Sequence, residues 1–171
     1  MNRICVLGLG YIGLPTSAMF ATHGFQVLGV DVNCRIVDMI NSGDVHIKEP
    51  GLKTLVQAAI KSGNLVAKAK PEPCDAFIIA VPTPLTADKQ PDLSYVQAAS
   101  ASIIPHLRRG NLVILESTVP PNTTIGLVGP ILEASGLKAG TDFFLAHSPE
   151  RVLPGTVLRE IVDNDRVIGG V

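Results

Sequence analysis

At 171 residues, with 46% hydrophobic and 17% charged residues, the chain has material for one domain, or one domain with a short extension, around a sizeable core. A net charge of −1, no basic run, no tryptophan and 4% aromatics argue against nucleic acid as a partner. No run of about 18 apolar residues suggests a membrane partner. The short apolar start "MNRICVLGLG" lacks the length of a signal peptide. Cys5, Cys34 and Cys74 form no CxxC pair, and the four histidines show no ligand spacing, so a cytoplasmic location and no metal site are expected.

The predicted elements alternate. "RICVLG" reads as a compact apolar strand, and "IGLPTSAMFATHG" as a helix burying Ile12, Ala18, Met19 and Ala21, stopped at Gly24. "FQVLGVD" is a second strand. "NCRIVDMINSG" is a helix with Ile36, Val37 and Ile40 at helical spacing. "EPGLKTLVQAAIKSG" is another, with Leu52, Leu55, Val56 and Ile60 on one side. "NLVAKA" is a short strand, and "DAFIIAVPTP" a fully buried one stopped by prolines. A helix over "LSYVQAASASIIPHL", a strand "NLVILEST", a helix "TTIGLVGPILEASG" and a strand "FFLAHSPE" follow. The chain closes on "DRVIGGV", read as a last strand. Continuous apolar strands alternating with helices predict an α/β fold, a doubly wound parallel sheet of Rossmann type over residues 1–171.

"GLGYIG" sets Gly8, Gly10 and Gly13 directly after the first strand and at the opening of the first helix. That context gives each glycine a task. Gly8 makes the tight turn, Gly10 lets backbone approach a pyrophosphate, and Gly13 lets helix and strand pack closely. The second strand ends in Asp31, near the separation at which a carboxylate meets the ribose hydroxyls. That carboxylate repels a 2′-phosphate and favours NAD over NADP. Arg35 could cover such a phosphate, lie on the adenine or pair with Asp31. Asp31 could also be the N-cap of the next helix.

Ligands of such sheets bind beyond the carboxyl ends of the strands. Three predicted strands end there in polar clusters: Thr83 in "VPTP", Glu116, Ser117 and Thr118 in "ESTVPP", and Glu150 and Arg151 in "HSPER". Any one of them is an ordinary turn or helix cap. Together at one edge they point to a site.

"GLGYIGLP", "VPTP", "ESTVPPNTT", "SPERVLPG" and "NDRVIGG", in this order along the whole chain, resemble the UDP-glucose/GDP-mannose dehydrogenase family. The resemblance implies oxidation of the C6 alcohol of a nucleotide sugar to a carboxylate, with two NAD per turnover. It implies an N-terminal NAD domain, a central helix that makes a homodimer, and a C-terminal sugar-nucleotide domain, the last two outside this chain. It places cofactor contacts on the backbone of Tyr11 and Ile12, on Asp31, Arg35, Thr83 and Thr118, with Thr118 also linked to a catalytic water. Glu150, Arg151 and Val152 become the loop beside the UDP-sugar, with Glu150 in a catalytic role.

Members acting on glucose or GDP-mannose tend to read "PEFLREG", with a second glutamate where this chain has Pro154. The loop here is similar to the branch acting on N-acetylated amino sugars, which implies UDP-N-acetyl-D-mannosamine as substrate. UDP-GlcNAc, UDP-GalNAc and UDP-glucose are the alternatives. The family's nucleophilic cysteine forms a thiohemiacetal with the intermediate aldehyde. None of the three cysteines is placed for this, so that cysteine and its partner lysine are expected beyond residue 171, and these residues alone are expected to be inactive. A β-hydroxyacid dehydrogenase would carry a glycine-rich loop where "ESTVPPNTT" stands, and a non-catalytic NAD-binding module would have no use for Thr118 and Glu150.

Overall fold

The computed structural model describes residues 2–171. Seven strands form one sheet in the order β3-β2-β1-β4-β5-β6-β7. They are β1 (Arg3–Leu7), β2 (Gln26–Val30), β3 (Leu65–Lys68), β4 (Ala76–Ile79), β5 (Leu112–Leu115), β6 (Phe144–His147) and β7 (Gly169–Gly170). The first six run parallel and β7 is antiparallel to β6. The sheet reverses its order between β1 and β4, which makes the crevice above that pair the switch point where ligands of doubly wound sheets bind.

Strand composition follows burial. Every residue of β4 is buried, as is all of β1 after Arg3, because both faces are covered. β3, at the edge, alternates buried and exposed residues. Alternation divides the core into two layers. Ile4, Val6, Val27 and Ile78 pack with α1 (Gly13–Thr22), α2 (Cys34–Asn41) and α3 (Leu52–Lys61). Cys5, Leu7, Phe77, Ile79 and Leu115 pack with α4 (Ser94–Ile103) and α5 (Gly129–Glu133). Phe77 is wholly buried at the centre of the second layer. Truncating such a side chain costs about 3–5 kcal/mol.

The structure corrects the sequence reading in four places. Met19 is only half-buried, while Leu14, Thr16 and Ser17 are buried, because α1 is wedged between the sheet and α3. The helix expected from Thr123 begins as a π-helical turn, Thr124–Val128, and becomes α5 only at Gly129. Pro130 lacks the N–H that would bond the Gly126 carbonyl, so the ordinary ladder cannot run through. A further helix, α6 (Val157–Asp163), stands where no element was expected. The last strand shrinks to two residues and runs antiparallel.

Candidate functional site

The glycine turn is fixed by close contacts. Gly8 has φ of +91°, and its N–H donates to Val30 at 2.8 Å. A Cβ on Gly13 would stand 1.8 Å from the Gly8 carbonyl oxygen, so helix and turn can meet only if position 13 has no side chain. At Gly10, by contrast, a Cβ would meet no protein atom within 4 Å. Nothing within the protein demands glycine there. The remaining reason is close approach by a ligand to the backbone.

Asp31 is tied back to this turn. Its Oδ2 accepts from Leu9 N–H at 3.0 Å and its Oδ1 from Asn33 N–H at 2.9 Å. The N-cap of α2 is Asn33, whose Oδ1 accepts from Arg35 N–H at 3.1 Å. Asp31 therefore does not cap α2, and its half-buried carboxylate is held at the carboxyl end of β2. Arg35 is exposed, and no ion pair links it to Asp31 among the described residues. Tyr11 is exposed and Ile12 half-buried in the turn itself.

The ends of β4 and β5 are laced together. Thr83 Oγ1 donates to the Thr118 carbonyl at 2.7 Å, and Ser117 Oγ donates to the Val81 carbonyl at 2.7 Å. Glu116, one step inside, is 5% exposed and pairs with Arg166 at 2.6 Å. Burial pushes its carboxyl above the ordinary carboxylate range. Arg166 pulls the other way, and the charge of Glu150 adds to the rise.

Glu150 does not project freely from the loop after β6. Its Oε1 accepts from Arg151 N–H at 2.6 Å and Val152 N–H at 2.7 Å, and its Oε2 is buried. Three further amides of this loop meet carboxylates from elsewhere. Leu153 N–H donates to Glu160 of α6 at 2.8 Å. Gly155 N–H and Val157 N–H donate to Glu49 at 2.7 and 2.8 Å. Glu49, Arg166 and Glu160 escaped the sequence reading. Glu49 carries no local signal, because its partners lie 106 and 108 residues away. Thr156 Oγ1 donates to Glu160 at 2.8 Å at the start of α6, but position 159 is an arginine, so the sequence carries no capping box there.

The thiols lie elsewhere. Cys5 is buried in β1, its thiol pushed up by its hydrogen bond to Cys74 and by burial. Cys34 is exposed at the start of α2, and the strand before it, β2, lies three places from β5 in the sheet. Among the described residues there is no cluster suited to a metal, and no helix is long and apolar enough to cross a membrane.

A glycine turn at the switch point, open space over Gly10 and an oriented carboxylate ending β2 fit NAD, and define a dinucleotide-binding domain. The chain belongs to the UDP-glucose/GDP-mannose dehydrogenase family, whose NAD binding domain matches residues 2–171. It is 52% identical to a UDP-N-acetyl-D-mannosamine dehydrogenase of Campylobacter jejuni, over 99% of this chain and 44% of that protein. It is 51% identical to an NDP-N-acetyl-D-galactosaminuronic acid dehydrogenase of Ralstonia solanacearum, over 99% of this chain and 42% of that one. The solved UDP-N-acetyl-mannosamine dehydrogenase of Staphylococcus aureus superposes with a TM-score of 0.95 at 49% identity, covering 99% of this chain and 42% of that one. The chain thus spans 39% to 44% of the length of these and similar relatives.

Proposed function

We propose that this domain serves a nucleotide-sugar 6-dehydrogenase that oxidises UDP-N-acetyl-D-mannosamine to UDP-N-acetyl-D-mannosaminuronate. The observation that carries the reading is the shared edge. The glycine turn with Asp31, the Thr83–Thr118 pair and the Glu150–Val152 loop all lie beyond the carboxyl ends of adjoining parallel strands. NAD, when bound there, supplies the hydride acceptor. The amides of Tyr11 and Ile12 face the pyrophosphate at the start of α1, and Asp31 accepts from the ribose hydroxyls. Arg35 flanks the adenosine. Thr83 and Thr118 border the nicotinamide end, and Glu150, Arg151 and Val152 border the sugar. The nucleophilic thiol and a homodimer interface are assigned to parts of the protein outside these 171 residues, in a cytoplasmic enzyme.

A second reading, an N-acetyl-galactosamine nucleotide as substrate, is favoured by the 51% identity to the Ralstonia relative. Two measurements test the proposal. Calorimetric titration should give tight binding of NAD and much weaker binding of NADP. Asp31→Asn should weaken NAD by at least about tenfold and narrow that preference. The full-length protein should then reduce NAD with UDP-N-acetyl-D-mannosamine faster than with UDP-GlcNAc, UDP-GalNAc or UDP-glucose. Equal binding of the two dinucleotides, or a preference for UDP-glucose, defeats the corresponding half.

A further inference from the structure

Among the described residues four buried side-chain polar atoms have no partner: Thr16 Oγ1, Glu116 Oε2, His147 Nδ1 and Glu150 Oε2. Two of them belong to carboxylates at neighbouring strand ends. Leaving such atoms unsatisfied is costly, and native structures accept it mainly where a group has a task beyond packing.

Glu116 follows β5 on the face of Ile114, and both line a cavity of about 430 Å³ with Thr16, Ser148, Arg166 and Ile168. Several groups face it from the surrounding elements. Arg166 comes from the segment after α6, Thr16 from α1, His23 from its C-cap and Ser148 from just after β6, and the charge of Glu150, in the loop after β6, reaches it as well. Only Arg166 bonds to it, through Oε1. Glu150 is near enough for its charge to oppose ionisation of Glu116.

Arg166 also leads back to the loop. Asn164, two residues before it, donates to the Arg151 carbonyl at 3.2 Å, and the Asp165 carbonyl accepts from the Arg151 guanidinium at 3.5 Å. Arg151 N–H donates to Glu150 Oε1. A continuous path therefore runs from β5 through Glu116, Arg166, Asn164 and Arg151 to Glu150.

We propose that Glu116 is a positioning residue of this site. Through Arg166 it fixes the Glu150–Val152 loop against β5. An ion pair serving only to join β5 to its neighbour would not need a second buried oxygen left free beside another carboxylate. The proposal rests on the dehydrogenase reading for its sugar-dependent readout, but not for its structural one.

The test compares Glu116→Gln, Arg166→Met and Arg166→Lys in the full-length protein. Glu116→Gln should leave NAD affinity within about twofold. It should raise KM for UDP-N-acetyl-D-mannosamine about tenfold with a much smaller change in kcat. Amide exchange of residues 151–157 should quicken about tenfold or more. Arg166→Met should do the same, and Arg166→Lys should restore most of the loss. Arg166 lies nearer the surface than Glu116, so its variants decide the matter if Glu116→Gln does not fold. Unchanged exchange at 151–157 in a folded variant overturns the proposal. So does a parallel loss of NAD and sugar affinity, which marks general loosening. A protein that binds NAD but oxidises no nucleotide sugar defeats the dehydrogenase reading, and amide exchange alone then judges the positioning role.

Discussion

Around the glycine turn, the bond that orients Asp31 spans 22 residues of chain and closes within the β1–α1–β2 unit. Around Glu150, the bonds that Glu49 makes to the loop and the start of α6 span 106 and 108 residues, and the neighbouring Arg166–Glu116 pair spans 50. One half of the edge is built by a single local unit. The other is a loop that bonds to itself through Glu150 and is also braced by carboxylates from distant parts of the chain. Two of the four buried, unpartnered polar atoms, on Glu116 and Glu150, lie in this braced half. The contrast teaches that a cofactor half can be made rigid by local sterics. The loop after β6 takes its shape from what the rest of the fold presents to it.

The sharpest way to break the contrast is at the rigid half. Gly13→Ala puts a Cβ into the Gly8 carbonyl, and the neighbours are backbone that cannot swing aside. It should cost about 3 kcal/mol in urea unfolding and abolish NAD binding. A variant that unfolds at the same denaturant concentration as the parent would show that the turn is not sterically fixed.

Glu49→Ala probes the braced half. It removes the acceptor of two amides, and the Val157 amide is buried. The expected loss is about 1–3 kcal/mol, with faster amide exchange confined to residues 153–158 and little change in NAD affinity. Exchange that quickens equally at the glycine turn would erase the distinction between the halves.

The smallest effect is that of pH. Glu72 is held low by Lys68 and then Arg3, Asp75 by the amides of Arg3 and Asn2, Asp92 by Ser94, and Glu160 by the Leu153 amide and Thr156. Their stabilisation is present above the ordinary values of 3.8 for Asp and 4.5 for Glu and is lost as pH falls below them. Glu116 has the opposite sign. The folded state holds its proton more tightly than the unfolded chain, so stability falls as pH rises through the window above 4.5. Urea unfolding from pH 3 to 7 should show both slopes, and Glu116→Gln should remove only the upper one. An unaltered upper slope would mean that Glu116 titrates like a solvated carboxyl.

The parallel, doubly wound sheet and the glycine turn were legible in the chain because each rests on short-range physics. The run "AFII", stopped by prolines soon after, reads as a strand buried on both faces, and "GLGYIG" gains its meaning from standing between a strand and a helix. The strand-end positions of Asp31, Thr83, Thr118 and Glu150 followed from the same alternation. Tertiary structure alone decided how those groups are held. Locally, Asn33 and not Asp31 caps α2. The fold turned Glu150 onto its own loop and brought Glu49, Glu116 and Arg166 to brace that loop. Such contacts join residues 50 to 108 positions apart, and no local propensity or periodicity encodes them. They exist because folding the whole sheet brings the end of β5, the segment before α3 and the residues after β6 to one edge, where buried amides and carboxylates must find partners or remain without them.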